Sequence, residues 1–429
     1  MKSNDIRTRF LSFFESKQHE VLKSFPLIPQ NDHSLLWINA GMTPLKSYFK
    51  GESTPSNPRM TSSQRCVRTN DIENVGKTPR HQTMFEMLGN FSIGDYFKRE
   101  SIHYSWEFLT KHLKLDATRL YVTVYEDDQE TETIWLQEIG LPRDHLIHTK
   151  EDNFWDIGEG PCGPCSEIFY DVKPELGKET FHPDNHNGTR FLEIWNLVFS
   201  EFNHNPDGSY TLLPKKNIDT GAGLERLSMI LQGVSSNFET DLFTPIIKKL
   251  EEISSISYRK NEDSIVSYHG ISDHIRSVVM MLFDGEKPSN TDRGYVIRRL
   301  IRRSMRFGRK IGHHQPFLYE LVPTVVELLQ VMEPTLIKKI DEISSIIENE
   351  EKRFIDVLVR GERIIHRKIG YLKEKGVTLF PGDVAFSLHD SNGFPIELTE
   401  EICLEEGMIL DRKLFDECLR KQRETSRKK

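Results

Sequence analysis

Gln64-Arg65-Cys66-Val67-Arg68, a polar run, then Arg80-His81-Gln82-Thr83-Met84-Phe85-Glu86-Met87: the reading of this stretch decides how the first half of the chain folds. Its two ends read as a strand and a returning strand, joined by a mobile polar loop. An antiparallel pair of that kind places Arg68, Arg80, His81 and Phe85 around one pocket. Arginine suits a phosphate or carboxylate because its planar fork donates two parallel charge-assisted hydrogen bonds. Phe85 offers an aromatic face to a purine ring. A plain hairpin with solvated arginines and a core phenylalanine is the competing reading of this segment taken alone.

Upstream, residues 1–20 predict a helix, with Ile6, Phe10, Leu11, Phe13 and Phe14 at three-to-four spacing behind Asn4-Asp5. From about Pro26 to Tyr210, short apolar runs such as Leu120–Val124 and Glu193–Phe202 alternate with Gly-, Pro- and Asn-rich turns. That texture points to an α+β domain around an antiparallel sheet. Arg226–Gln232 reads as a helix, and the polar stretch Glu251–Asp263 as a linker or exposed hairpin. Beyond it the pattern is almost wholly helical: Ser272–Phe283, Tyr295–Phe307, Gln315–Met332, Thr335–Gly370, Leu398–Glu406 and Arg412–Arg427. Thr335–Gly370 is charge-laced and reads as a solvent-bridging helix. The expected organisation is an α+β domain over 1–245 and an all-helical domain over 246–429.

Hydrophobic residues make up 37% and charged residues 28% of the 429 positions, an ordinary globular composition. No apolar run approaches the roughly 20 residues that cross a bilayer, and the first residues are polar, so a cytoplasmic location is expected. Five cysteines, an odd and sparse set, fit reduced thiols better than a disulfide framework. A formal net charge of −8 argues against a non-specific nucleic-acid coat, but a local stripe counts for more than the sum. Between Arg298 and Lys310 there are seven basic residues and no acidic one.

Two further segments carry candidate chemistry. In Asp219-Thr220-Gly221-Ala222-Gly223-Leu224-Glu225-Arg226, two glycines allow close backbone approach to a ligand and a helix start supplies free N–H groups. Arg226 can stack on a base or hold a phosphate. The spacing matches neither a P-loop nor a dinucleotide fingerprint, and helix-capping glycines are the plain alternative. In Asn153–Glu167, Cys162 and Cys165 have CxxC spacing. A four-ligand zinc site needs a second pair, and none is nearby; a thioredoxin-type motif would open a helix after a strand. No zinc is expected, and a rigid loop lining a small pocket with Trp155 as a wall is the preferred reading.

Together these segments resemble the alanyl-tRNA synthetases. The resemblance rests on Thr69–Gly76 leading into Phe85-Glu86-Met87-Leu88-Gly89-Asn90-Phe91-Ser92-Ile93-Gly94-Asp95-Tyr96-Phe97-Lys98, on Gly160–Glu167, on Glu193–Phe199 and on Asp219–Arg226, and it runs from Phe13 to about Gln422. It implies the class II synthetase fold, an antiparallel sheet flanked by helices, followed by a helical tRNA-recognition domain. It also implies ATP and L-alanine as substrates, and a magnesium ion bridging the phosphates, with Glu193 as a guessed ligand. By the family pattern Arg68 binds the ATP α-phosphate and the amino-acid carboxylate; Phe85 and Arg226 sandwich adenine with Met87 nearby. Arg80, His81 and Gly223 complete the ATP side. Trp155, Asn196, Val198, Gly221 and Asp219 form the alanine pocket, Asp219 pairing with the substrate ammonium. Arg68, Asp219 and Arg226 are the expected catalytic set. Asn290, in Pro288-Ser289-Asn290, and Asp390, before Gly393-Phe394-Pro395, match the positions that read the acceptor stem of tRNA(Ala). Arg298, Arg299, Arg302, Arg303 and Arg306 are expected to neutralise its backbone.

The resemblance further implies that this sequence holds the catalytic and tRNA-recognition regions only, without the editing and C-terminal domains, as a fragment or as a short paralogue, and a monomer is the expected state. Pro79, Gln82, Met84, Ala222 and Ser391-Asn392 depart from the family pattern without touching the principal binding residues. Without an editing domain, seryl- and glycyl-tRNA are expected side products, since one methyl or hydroxyl is worth only about 1–3 kcal/mol. Two rival readings stay open: an alanine-adenylating enzyme serving a non-tRNA acceptor, and a silent tRNA- or nucleotide-binding regulator.

Overall fold

The computed structural model describes residues 1–30, 35–150, 152–156 and 158–427. The chain forms two compact units, Met1–Lys248 and Lys249–Lys429.

In the first unit, helix α1 (Ser3–Ser16) precedes β1 (Glu20–Leu22), α2 (Lys46–Phe49), β2 (Arg59–Val67) and β3 (Met84–Ile93). There follow α3 (Lys98–Glu107), β4 (Leu120–Tyr125), α4 (Gln129–Thr133), β5 (Leu146–Thr149), β6 (Phe154–Trp155) and β7 (Gly160–Asp171). The unit continues with α5 (Asn185–Gly188), β8 (Phe191–His204), β9 (Tyr210–Gly223) and α6 (Leu224–Gln232), and ends inside α7 (Thr244–Ile253). The nine strands form one sheet in the order β1-β2-β3-β9-β8-β7-β4-β5, with β6 on β7. The antiparallel expectation holds for its centre; both edges differ, because β1 runs parallel to β2 and β5 parallel to β4. Gly160-Pro161-Cys162-Gly163-Pro164-Cys165 is not a loop but the start of β7, whose pairing with β8 slips between Cys162 and Cys165.

Alternation divides the sheet chemically. Leu88, Trp195, Leu197, Phe199 and Ala222 share one face and pack with Phe10, Phe13 and Phe14 of α1 and Leu224 and Leu227 of α6. Burying side chains of this size stabilises by about 1.5–3 kcal/mol each. Glu86, on that same face, is buried against Arg7 of α1 at 2.6 and 2.7 Å and accepts from Ser63 Oγ at 2.8 Å. The opposite face carries Phe85, Met87, Asn196, Val198, Asp219 and Gly221. It is the face left for a ligand.

The second unit contains α8 (Glu262–Phe283), α9 (Asp292–Lys310), α10 (Val322–Leu329) and α11 (Ile340–Glu374). It closes with β10 (Leu379–Phe380), α12 (Gly382–Asn392), α13 (Ile396–Glu405), β11 (Ile409–Leu410) and α14 (Arg412–Arg427), so a two-stranded parallel sheet interrupts the helices. An Asn261–Ser264 capping box starts α8 a full ten residues before the predicted boundary. The single helix expected over Gln315–Met332 is instead a 3-10 turn, Leu318–Leu321, followed by α10, with Pro323 in its first turn. Nor is α11 solvent-bridging: Ile343, Ile347, Phe354, Leu358, Ile365 and Ile369 bury one continuous stripe. Glu351 lies in that stripe and accepts hydrogen bonds from the backbone N–H groups of Phe317, Leu318 and Tyr319, at 2.9, 3.0 and 3.3 Å. It thereby satisfies donors that a helix start leaves unpaired.

Candidate active site

Arg68 follows the last residue of β2, and its backbone N–H bonds Thr83 O at 3.0 Å just before β3 begins. The strand–loop–strand unit therefore closes as predicted, and the Arg68 guanidinium lies 5.2 Å from the centroid of the Phe85 ring. Register carries the site across the sheet: Met87 opposes Gly223, Asp219 opposes Val198, Gly221 opposes Asn196, and Asn196 opposes Glu167. A shift between Ile168 and Phe169 in the β7–β8 pairing leaves Ile194 as an extra residue, which turns Glu193 onto the face of Asn196. At Gly221 a Cβ atom would come within 2.6 Å of Met87 Sδ, so only glycine lets the thioether lie over this strand.

The result is one cavity of about 280 Å³. Arg68, Arg80, His81, Phe85, Met87, Trp155, Glu193, Asn196, Val198, Asp219, Gly221, Gly223 and Arg226 all line it, so every residue expected on the ATP and alanine sides comes to one place. Ala40, Asp71, Gln82, Glu167, Ile194 and Glu225 line it too, and neither composition nor the resemblance assigns them a role. Glu167 was hidden by the loop reading of its segment; strand alternation from Cys165 would have shown it. Nothing in the sequence marks Ala40.

Charge is distributed unevenly around the cavity. Arg226 Nη1 donates to Glu193 O at 2.7 Å and to Glu193 Oε2 at 2.8 Å. Burial opposes ionisation of Glu193, but the guanidiniums of Arg226, Arg68 and Arg80 prevail and hold its carboxyl below the ordinary range. The ionised Glu193 carboxylate thereby holds Arg226 in the cavity. Among the described residues no group of three or more His, Cys, Asp or Glu could hold a metal ion. Arg80 donates to Gly188 O. His81 bonds Thr78 Oγ1 through Nδ1 at 2.7 Å, and burial, with Arg80 and Arg226 nearby, lowers its pKa, favouring the neutral imidazole. Burial, then Glu193 and Asp152, push Glu167 well above the ordinary carboxyl range.

Asp219 stands apart. It is 5% exposed, its side chain has no hydrogen bond or ion pair among the described residues, and burial pushes its carboxyl up to about 7. An unpaired carboxylate in a cavity otherwise rich in guanidinium groups is an acceptor for a ligand cation. The chemistry available is therefore bipolar: anion binding at Arg68, Arg80 and Arg226, and cation binding at Asp219.

In the second unit, the Asn290 loop is tucked against the first turn of α9, where a Cβ on Gly294 would collide with Lys287 O and Ser289 Oγ. Asn290 is exposed and its Oδ1 accepts from Arg298. Asp390 is exposed near the end of α12 and accepts from Gln422 Nε2 at 3.0 Å. Tyr295, on α9, donates to Glu397 of α13 at 2.7 Å, which ties together the helices next to these two positions. The arginine stripe is less free than its sequence suggests. Arg303 is 3% exposed and donates to Glu401 Oε1 at 2.9 and 3.2 Å and to His274 at 2.8 Å; Arg306, equally buried, pairs with Glu401 and Glu405. Neither presents its charge to a surface ligand, so the expected backbone contact from these two is corrected to an internal role. Arg298 Nε lies 2.9 Å from Glu350 Oε1, close enough to pair though poorly aligned for a hydrogen bond, and Arg302 lies 3.4 Å from the same carboxylate. Arg299 is partly exposed.

The chain matches the family described as tRNA synthetases class II (A) over residues 5–429. It is 52% identical to an alanine–tRNA ligase of Geobacillus thermodenitrificans, across the whole of this chain and 49% of that protein, and 51% identical to an alanine–tRNA ligase of Lysinibacillus sphaericus, again over the whole of this chain and 49% of that protein. The chain thus spans about half the length of the curated relatives it matches. Among solved structures, a histidyl-tRNA synthetase of S. aureus aligns with a TM-score of 0.33 at 11% identity, over 55% of this chain and 68% of its own. No helix among the described residues is long and apolar enough to cross a membrane. With the family match extending over nearly all its length, the chain belongs to the class II tRNA synthetases.

Proposed function

We propose that the protein is the core of an alanine–tRNA ligase: it activates L-alanine with ATP to alanyl-adenylate and transfers the alanyl group to the 3′ end of tRNA(Ala) in the cytoplasm, acting as a monomer. The observation that carries this reading is the bipolar cavity, with unpaired Asp219 at one corner and Arg68, Arg80 and Arg226 around the rest. The alanine carboxylate attacks the α-phosphorus and pyrophosphate leaves. No protein nucleophile is required, so positioning and charge neutralisation supply the catalysis. Arg68 holds the α-phosphate and the reacting carboxylate, and Asp219 holds the ammonium. Phe85 and Arg226 clamp the purine beside Met87 and Gly223, with Arg80 and His81 toward the phosphates. Trp155, Val198 and Gly221 keep the side-chain space small. Glu193 would hold magnesium beside the phosphates, and the ion would neutralise their charge.

The first unit is assigned to aminoacylation and the second to tRNA recognition, through Asn290, Asp390 and the partly exposed Arg298, Arg299 and Arg302. The names of the relatives support alanine and tRNA(Ala) as the substrates. The test is pyrophosphate exchange into ATP across all twenty amino acids, with alanine expected to dominate; exchange independent of alanine overturns the proposal. Charging of transcripts with and without the G–U pair that the resemblance to the alanyl-tRNA synthetases implies at the third position of the acceptor stem then tests the acceptor, with loss of charging expected when the pair is removed.

A further inference from the structure

Glu167 and Asn196 face each other in register on β7 and β8, and Asn196 Nδ2 donates to Glu167 Oε1 at 3.3 Å. A primary amide carries its donors on nitrogen and its acceptor sites on oxygen. With the nitrogen held against Glu167, the oxygen points away from it. Asn196 Oδ1 is buried and has no hydrogen-bond partner among the described residues. Asp219 sits on the neighbouring strand: Asn196 opposes Gly221 and Val198 opposes Asp219, so Asn196 and Asp219 are diagonal neighbours on one face of the sheet. Asn196 Oδ1 and the Asp219 carboxylate, two acceptors without a hydrogen-bond partner among the described residues, suit a ligand that brings several N–H groups and a positive charge. A primary ammonium fits that description; a hydroxyl, with one hydrogen and no charge, does not.

We infer that Glu167 is a positioning residue for the amino-acid substrate: by holding the amide nitrogen of Asn196, it turns the Asn196 carbonyl oxygen toward the substrate ammonium beside Asp219. The inference rests on the adenylation reading above. Glu167 acts through Asn196 rather than as a second anion. Burial and the neighbouring Glu193 keep it largely as the neutral acid, which retains an acceptor oxygen for the amide without adding negative charge where phosphates must enter.

Alanine-dependent pyrophosphate exchange by the full chain tests this with Glu167→Ala, Glu167→Gln, Asn196→Ala and the double variant Glu167→Ala/Asn196→Ala. Glu167→Ala should raise the KM for alanine about tenfold, the loss of one hydrogen bond to a charged group, while the KM for ATP stays within about twofold. Glu167→Gln, which keeps an acceptor of the same shape, should recover most of that loss. In the double variant the KM for alanine should match that of Asn196→Ala alone, because the Glu167 effect passes through Asn196. Effects that multiply in the double variant, or Glu167→Gln impaired as much as Glu167→Ala, overturn the inference and leave the adenylation reading standing. A wild-type chain that shows no alanine-dependent exchange overturns both.

Discussion

Asp219 on the sheet and Glu401 in the helical unit are both buried carboxylates, but only Glu401 has cations against it. Arg303 and Arg306 approach it at 2.9 and 3.4 Å, whereas Asp219 meets no partner among the described residues. The helical unit has the denser charge in sequence, yet much of it is consumed internally: Glu350 by Arg298 and Arg302, Glu401 and Glu405 by Arg303 and Arg306. The cavity also holds a complete pair, Arg226 with Glu193, but it leaves Asp219 without a partner among the described residues. An unpaired buried charge, rather than a high count of charges, is what marks the ligand site. Buried pairs within the first unit make the same point, since Arg7–Glu86 and Arg190–Asp171 are complete by themselves and need no ligand.

The largest expected effect comes from removing the unpaired charge. Asp219→Ala should lower kcat/KM for alanine in the exchange assay about a thousandfold, ~4 kcal/mol for a buried partner of a charged ligand group. The same carboxylate should lower the stability of the ligand-free protein as pH rises. Its folded pKa of about 7 lies above the ordinary 3.8, so the folded state keeps a proton that the unfolded chain releases. That stabilisation is fully present below the ordinary pKa and is lost as pH climbs through about 7. Urea denaturation at a series of pH values should show the decline, and Asp219→Asn should flatten it. An unchanged profile would mean that the carboxyl has a cation after all.

Breaking the paired region should do the opposite: damage to stability without the signature of a lost ligand. Arg303→Ala leaves Glu401 with Arg306 alone, at 3.4 Å, and should cost about 3 kcal/mol in urea denaturation. The salt dependence of tRNA affinity should keep its slope, because this guanidinium contacts no phosphate. A slope reduced by about one would return Arg303 to the tRNA surface. Glu351→Ala should cost about 1–3 kcal/mol by leaving the backbone donors of Phe317, Leu318 and Tyr319 unsatisfied, with no effect on the KM for alanine. The smallest effect sits at the exposed end of the helical unit. Asn290→Ala should lower tRNA charging about tenfold while leaving exchange intact, the loss of one base-edge contact.

Much of this protein could be read from its residues alone. Two short segments around a polar run identified the strand pair around Arg68 and Phe85, and apolar spacing identified most helices beyond Glu262, because local periodicity reports which face an element will bury. Arg68, Arg80, His81 and Phe85 were legible from the strand–loop–strand unit, most of the alanine-side residues only from the resemblance, and each of them lines the same cavity. Other features were settled only when strands and helices met. The extra residue at Ile194 turns Glu193 onto the cavity face, where it becomes the partner of Arg226, and pairing with β8 makes a strand of Gly160–Cys165 and brings Glu167 to Asn196. The arginines of α9 looked free because the glutamates that neutralise them lie far away in sequence, on α11 and α13. Local pattern says what a segment can bury, but whether a charge ends paired or open depends on long-range contacts that no local pattern encodes.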